Sequence, residues 1–346
     1  MPSDLTPYDA VLLVSFGGPE QPDDVLPFLR NVTRGRGIPD QRLQKVGEHY
    51  FRFGGRSPIN DQNRALLAAL RTRLDVPVYW GNRNWSPYLT DTVRQMTTDG
   101  VRRAVAVMTS AYPSYSGCRQ YLENIADARA AVGAGAPRID RLRHYANHPG
   151  FVDSFADACA AALERLPDDA ALAFVTHSIP LSMNDNSGPS GGAYVAWHND
   201  VVEQVSMALE RRTGRSRRTD LVYCSRSGPP QVPWLEPDVN EHLEELAKTG
   251  ASGVVVAPIG FVSDHMEVVY DLDTEAAATA DKVGLPMARA ATPGSGERFV
   301  TMLCDLVAER AAVARGETPD RPYAGRIGPG WDVCADNCCA PVRRPA

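Results

Sequence analysis

Short apolar runs alternate with amphipathic stretches along most of this chain. The apolar runs are nearly continuous, which is typical of strands in a parallel sheet whose two faces are both covered. The stretches between them repeat apolar residues with the period of a helix. The pattern predicts strands at 10–15, 76–80, 104–108, 138–142, 171–176, 220–223 and 253–257, and helices at 63–74, 90–97, 120–132, 151–166, 193–212, 239–248 and 296–315.

Strands that alternate with helices indicate βαβ units, and therefore an α/β fold. The two halves of the chain have similar patterns, so we expect two doubly wound parallel-sheet domains with a cleft between them. The expected domains are residues 1–150 and 151–315, followed by a tail at 316–346 that is rich in Pro, Gly and Cys. Ligands of such folds bind at the carboxyl ends of the strands.

The composition narrows the class of protein. Of 346 residues, 43% are hydrophobic and 23% are charged, a balance typical of soluble globular proteins. The net charge of −6 disfavours a general nucleic-acid binder. The longest apolar run, 253–262, is too short for a transmembrane segment, and no secretory signal is visible at the start. We therefore expect a cytoplasmic enzyme.

Charge is distributed unevenly along the chain. Segment 30–56 has seven basic and two acidic residues, a net charge of +5. Either it is a solvated surface, or it forms the mouth of a site for an anionic ligand, either a carboxylate or a phosphate. Segment 263–276 has the opposite character, with five acidic residues and no Lys or Arg.

The acidic segment contains carboxylates at regular spacing. Glu267, Asp271 and Glu275 are four residues apart, so a helix places them along one stripe, and a local π-turn aligns them more closely. Neighbouring like charges destabilise a helix, whereas hard oxygen ligands suit a divalent cation. A cation site is therefore one interpretation, and an exposed acidic helix face is the other.

His177 directly follows the predicted strand at 171–176, at the sheet edge where doubly wound folds bind ligands. This histidine is either catalytic or a hydrogen-bonded structural residue. His144 and His148 have ligand-like spacing, but Pro149 interrupts any single helix, so we interpret them as structural. The sequence contains no Walker A, GxGxxG, HExxH or GxSxG motif, which leaves nucleotide binding and common hydrolase chemistry without support.

Three of the seven cysteines, Cys334, Cys338 and Cys339, lie in the tail. An odd number of cysteines without an export signal argues against a disulfide framework. Soft thiolate ligands suit zinc or an iron–sulfur cluster, and unligated reactive thiols are the alternative. A metal centre would also fix a tail that otherwise has the composition of a disordered segment.

Six motifs together resemble the ferrochelatase family, and specifically its actinobacterial coproporphyrin type. They cover nearly the whole chain: LLVSFGGPE (12–20), FLRNVTRGR (28–36), FGGRSPIN (53–60), THSIP (176–180), CSRSGPPQVPWLEPDV (224–239) and PIGFVSDHMEVVYDLDTEA (258–276). The resemblance implies two Rossmann-like domains around a porphyrin cleft. It also implies insertion of Fe²⁺ into coproporphyrin III, giving coproheme for a later decarboxylating enzyme.

The resemblance also implies roles for individual residues. His177 and Glu267 would face each other across the macrocycle, with His177 accepting pyrrole protons and Glu267 holding iron. Asp271 and Glu275 would continue the carboxylate line as a metal relay or second cation site. The expected porphyrin contacts are Tyr50, Ser57, Tyr121, Phe16 and Arg34, with Phe16 standing where other members carry an iron-ligating tyrosine.

The tail resembles that of family members with a 2Fe–2S cluster. Cys334, Cys338 and Cys339 would then be ligands, with Cys159 as the fourth. Two alternative functions remain at this level. One is a chelatase for protoporphyrin IX, and the other is a non-catalytic iron–sulfur redox or iron sensor with the same fold.

Overall fold

Two four-stranded parallel sheets form the framework of the protein in a computed structural model, which describes residues 4–228 and 231–341. The first sheet has the strand order β2-β1-β3-β4 and the second has the order β6-β5-β7-β8. The strands are β1 (Ala10–Ser15), β2 (Val78–Asn82), β3 (Arg103–Met108), β4 (Arg138–Arg141), β5 (Ala171–His177), β6 (Thr219–Cys224), β7 (Val254–Ala257) and β8 (Met287–Arg289).

Helices cover both sheets. They are α1 (Pro22–Val32), α2 (Asp40–Phe51), α3 (Ile59–Arg71), α4 (Leu89–Thr98), α5 (Gln120–Val132), α6 (Pro149–Leu163), α7 (Leu181–Asp185), α8 (Ala193–Thr213), α9 (Val239–Lys248), α10 (Met266–Tyr270), α11 (Ala277–Val283) and α12 (Glu297–Ala314). Two π-helices, Tyr115–Arg119 and Asp271–Ala276, adjoin α5 and α10. The predicted α/β class with two doubly wound parallel sheets is confirmed, whereas the domain limits at residues 150 and 315 stay predictions.

The central strand β1 explains why the apolar runs are continuous. Val11 and Leu13 point into the hydrophobic cluster between the sheets, while Ala10, Leu12 and Val14 point into a second cluster under α4 and α5. Both faces of the strand are therefore buried, so alternation with polar residues is absent.

The cluster between the sheets joins the two halves of the molecule. Phe151 on α6 and Phe299 on α12 have ring centroids 6.3 Å apart, and Leu66 on α3 belongs to the same cluster. Because α12 comes last among the helices yet packs beside α3 and α6, the two halves share one core.

The tail lies against the body through polar contacts of its own. Arg141 donates a hydrogen bond to the carbonyl oxygen of Trp331 at 2.7 Å, and Asn147 donates one to that of Gly328. Glu309 forms a buried ion pair with Arg143 at 2.7 Å, and Arg321 of the tail pairs with the same carboxylate. These contacts hold the described part of the tail against the body.

Candidate active site

His177 ends strand β5 at the carboxyl edge of the second sheet, in register with Cys224 on β6. Its Nδ1 atom lies 2.5 Å from the carbonyl oxygen of Ser178. A carbonyl oxygen only accepts, so Nδ1 must carry the hydrogen, and the neutral ring keeps its free lone pair on Nε2. With the side chain 33% exposed, Nε2 is the atom that can take a proton from a ligand.

Glu267 on α10 faces His177. Its Oε2 lies 3.5 Å from His177 Nε2, and its side chain is 52% exposed. A flat ring between two atoms needs a gap of about 7 Å, twice the roughly 3.5 Å contact distance of stacked atoms. The two side chains are therefore in direct contact here, and a macrocycle can enter only after Glu267 turns away or the cleft widens.

The acidic residues follow one another along a π-helix. Helix α10 continues directly into the π-helix Asp271–Ala276, which contains Asp271 and Glu275. A π-helix has a wider turn than an α-helix, so residues four apart lie closer to one line. The negative charges of Glu267 and Glu275 both act on Asp271, so the three carboxylates lie near one another.

Asp271 is the half-buried member of this line. Burial raises its pKa to about 7, although a hydrogen bond donated by the Ser225 hydroxyl acts in the opposite direction. Ser225 holds its hydroxyl there from a left-handed backbone conformation, with φ of +62°, directly after β6. One carboxyl of the line is therefore half protonated near neutral pH.

Helix α2 from the first half of the molecule forms the facing wall. His49 stacks on Tyr270 with ring centroids 3.7 Å apart. Burial, together with the negative charge of Glu267, raises the pKa of the neighbouring Tyr50 phenol. The structure therefore brings Tyr50 close to Glu267, so residues from both halves meet at this point.

A row of aromatic rings leads from Tyr50 along the first half. Phe28 lies 6.1 Å from Tyr50 and 6.2 Å from Phe16, and each pair is edge-to-face. Phe16 is 37% exposed and carries no phenol, whereas Tyr121 is only 4% exposed.

The other two expected porphyrin contacts differ in exposure. Arg34 is exposed in the turn after α1. Ser57 is 3% exposed, and its backbone N–H donates to the carbonyl oxygen of Pro19. A Cβ atom on Gly18 would lie 2.8 Å from Ser57 Cβ, so the loop that contains Gly18 covers this serine.

Four cysteines come together where the tail meets the body: Cys118, Cys334, Cys338 and Cys339. The Sγ atoms of Cys118 and Cys334 are 3.9 Å apart, and those of Cys338 and Cys339 are 3.8 Å apart. Hydrogen bonds from Cys118 lower the pKa of both Cys334 and Cys339.

The expected role of Cys159 as the fourth ligand stays a prediction, although the sulfur–sulfur contacts of the tail cysteines among the described residues are with Cys118 and with one another. Cys159 is fully buried on α6 in the hydrophobic cluster between the sheets, and burial alone raises its pKa. Sequence spacing could not find Cys118, because the π-helix Tyr115–Arg119 and the tail are brought together only by the fold. Ser225 was also missed, although it lies within the motif at 224–239.

The part of the chain that the structure describes shows neither a preformed metal site nor a membrane-spanning helix. Within residues 4–228 and 231–341, no group of three or more His, Cys, Asp or Glu side chains is arranged as a metal site. No helix among the described residues is long and apolar enough to cross a membrane.

Comparison with known proteins gives a consistent result. The chain is 58% identical to the coproporphyrin III ferrochelatase of Streptomyces griseus, covering 99% of this chain and 96% of that one. It is 56% identical to the protein of the same name from Frankia alni, covering 97% and 87%, and 48% identical to a ferrochelatase of Rhodopirellula baltica, covering 99% and 97%.

A solved structure supports the fold. SirB from Bacillus subtilis with Fe³⁺ superposes with a TM-score of 0.55 at 13% identity, covering 89% of this chain and 97% of that one. The family model for ferrochelatase matches residues 8–311. The chain therefore belongs to the ferrochelatase family.

Proposed function

We propose that this protein inserts ferrous iron into coproporphyrin III to give coproheme. The observation that carries the proposal is the contact between His177 Nε2 and Glu267 Oε2, a proton acceptor beside a carboxylate in a ferrochelatase fold. Relatives named coproporphyrin III ferrochelatase, 56–58% identical over nearly the whole chain, favour this porphyrin as the substrate.

The proton balance explains the need for His177. One Fe²⁺ replaces two pyrrole N–H protons, so the iron keeps its oxidation state and two protons leave the ring. His177 Nε2 accepts these protons one after the other, because Nδ1 is already committed to the Ser178 carbonyl oxygen. The exposed part of its ring passes each proton to water. Until that transfer, the carboxylate of Glu267 stabilises the positively charged imidazolium.

The carboxylates supply the other half of the reaction. Glu267 holds the arriving iron, and Asp271 and Glu275 form a relay or second cation site behind it. Oxygen donors of this kind suit a hard divalent cation. The half-protonated state of Asp271 keeps the line from accumulating three full negative charges when no cation is bound.

The periphery of the porphyrin contacts the first half of the molecule. Phe16 and Tyr50 supply aromatic surface, and Arg34 binds a propionate. Tyr121 and Ser57, which are 4% and 3% exposed, contact the porphyrin only after the groups that cover them move. The segment at 30–56, with its net charge of +5, suits a ligand with four propionates better than one with two. Holding the ring distorted from its edge exposes the nitrogen lone pairs to iron.

Replacement of His177 with alanine tests the catalytic assignment. We expect iron insertion to fall at least a hundredfold, the usual contribution of a general base, while coproporphyrin III still binds. Insertion is followed anaerobically by loss of porphyrin fluorescence, and binding is measured without metal. Glu241→Gln, an exposed change on α9, is the surface control. A His177→Ala protein that binds porphyrin and turns over normally would refute the assignment.

We further propose that Cys118, Cys334, Cys338 and Cys339 hold a 2Fe–2S cluster. Each iron of such a cluster takes two thiolates, so it needs two pairs of sulfur atoms rather than three donors around one ion. Pairs 3.9 and 3.8 Å apart support this, as does the hydrogen bond that the Gly188 N–H donates to Cys339 Sγ at 3.2 Å. When bound, the cluster would supply one-electron chemistry and a cross-link between tail and body.

Two parts of the cellular context also belong to this proposal. We also propose a cytoplasmic location and transfer of coproheme to a later decarboxylating enzyme. Retention of coproheme on the protein until a partner removes it would support transfer, and rapid spontaneous release would argue against it.

A further inference from the structure

Arg83 occupies an unusual place at the carboxyl edge of the first sheet. It directly follows β2, and its guanidinium carbon lies 4.3 Å from the ring centroid of Tyr121 and 5.8 Å from that of Phe16. Its Nε donates a hydrogen bond to Asn124 Oδ1 at 2.6 Å. The two rings and this hydrogen bond hold the guanidinium in one plane.

The terminal nitrogens of this guanidinium are not used by the protein. Within residues 4–228 and 231–341, Asn124 is the only hydrogen-bond partner of the Arg83 side chain, and no carboxylate pairs with it. The positive charges of Arg36 and Arg83 both act on the Tyr115 phenol. A half-buried guanidinium with both ends free indicates a bidentate anionic ligand.

The surroundings define the chemistry of that ligand. Phe16, which Arg83 covers, begins the aromatic row that runs through Phe28 to Tyr50 and then to Glu267. A molecule that fits both features is flat, apolar on its face and carboxylated at its edge.

We propose that Arg83 binds a propionate carboxylate of the porphyrin through its two terminal nitrogens. This inference rests on the proposed function, and it names a residue that the sequence motifs do not contain. The fixed plane of Arg83 matches the plane of a carboxylate, a geometry that the single ammonium of lysine cannot reproduce. Arg83 therefore fixes the orientation of the ring edge relative to His177.

The test compares Arg83→Met and Arg83→Lys with Arg94→Met. Arg94 is a matched control, because it is exposed on α4 and, among the described residues, its side chain pairs only with Asp91. For Arg83→Met we expect the KM for coproporphyrin III to rise about tenfold, or about 1.4 kcal/mol, with kcat within twofold of the parent. For Arg83→Lys we expect a rise of about threefold, and for Arg94→Met none.

A second ligand separates carboxylate binding from a structural effect. In one detergent-containing buffer, coproporphyrin III and its tetramethyl ester are compared by metal-free fluorescence titration. Arg83→Met should weaken binding of the acid about tenfold and leave binding of the ester unchanged. Equal losses for acid and ester, or no loss for either, would overturn the proposal.

Two other outcomes are also decisive. If the parent protein inserts no iron, the proposed function is wrong. The metal-free titration still tests whether Arg83 binds a propionate. If Arg83→Met does not fold, Arg83→Lys decides, because it keeps the charge and loses only the planar fork. An unchanged affinity of Arg83→Lys for coproporphyrin III would then overturn the inference.

Discussion

Replacing Asp271 with asparagine should stabilise the protein at neutral and alkaline pH and leave its stability at pH 4 unchanged. Folding places this carboxyl in a half-buried position, where burial raises its pKa to about 7 from an ordinary value of 3.8. Between these two values the folded state holds a proton that the unfolded state has lost. The free energy of unfolding therefore falls as pH rises through this window and levels off above pH 7.

The magnitude follows from the size of that window. A pKa difference of about three pH units corresponds to about 4 kcal/mol at 1.36 kcal/mol per unit. Asp271 is partly exposed, and water screens part of this penalty, so we expect about half of it, ~2 kcal/mol, at pH 8. Asparagine has the same shape, stays neutral and can still accept the hydrogen bond from Ser225.

Urea denaturation at pH 4, 6 and 8 measures this difference directly. Asp271→Asn should match the parent protein at pH 4 and exceed it by about 2 kcal/mol at pH 8. Asp281→Asn, an exposed change on α11, should show no such pH dependence. Equal or lower stability of Asp271→Asn at pH 8 would refute the argument that burial controls this carboxyl.

Two further predictions concern the tail. Cys118→Ala, purified without oxygen, should lose the visible absorption bands of a 2Fe–2S cluster, whereas Cys159→Ala should keep them; the reverse result would restore Cys159 as the ligand. Glu309→Gln should lower the free energy of unfolding by about 3 kcal/mol, because it leaves the buried Arg143 guanidinium without a counter-charge. The exposed Glu317→Gln should leave the free energy of unfolding nearly unchanged, and equal effects of the two variants would contradict this.

Many of the strands and helices could be predicted from the sequence, because each is determined by a local pattern of apolar and polar residues. Continuous apolar runs identified seven of the eight strands, with β2 displaced by two residues to Val78–Asn82. The missed strand, β8, has only three residues and ends in Arg289 at the sheet edge. Helices α1 and α2 were also missed, since α1 contains Pro27 and α2 is strongly polar.

The site was predictable where its residues are close together in the chain. The regular spacing of Glu267, Asp271 and Glu275 predicted that they lie near one another. The position of His177 directly after a predicted strand indicated that it lies at the edge of the sheet. Cys118 could not be found in this way. Its neighbours in space are more than two hundred residues away in the chain, and only the docking of the tail brings them together.

The most direct test of the central claim is anaerobic incubation of the unmodified protein with Fe²⁺ and either coproporphyrin III or protoporphyrin IX. The proposed function predicts rapid loss of fluorescence with coproporphyrin III and little with protoporphyrin IX. A preference for protoporphyrin IX would contradict the proposed substrate but would still support chelatase activity. No reaction with either porphyrin, in protein that shows the bands of a 2Fe–2S cluster, would contradict the enzyme assignment and favour an iron–sulfur sensor.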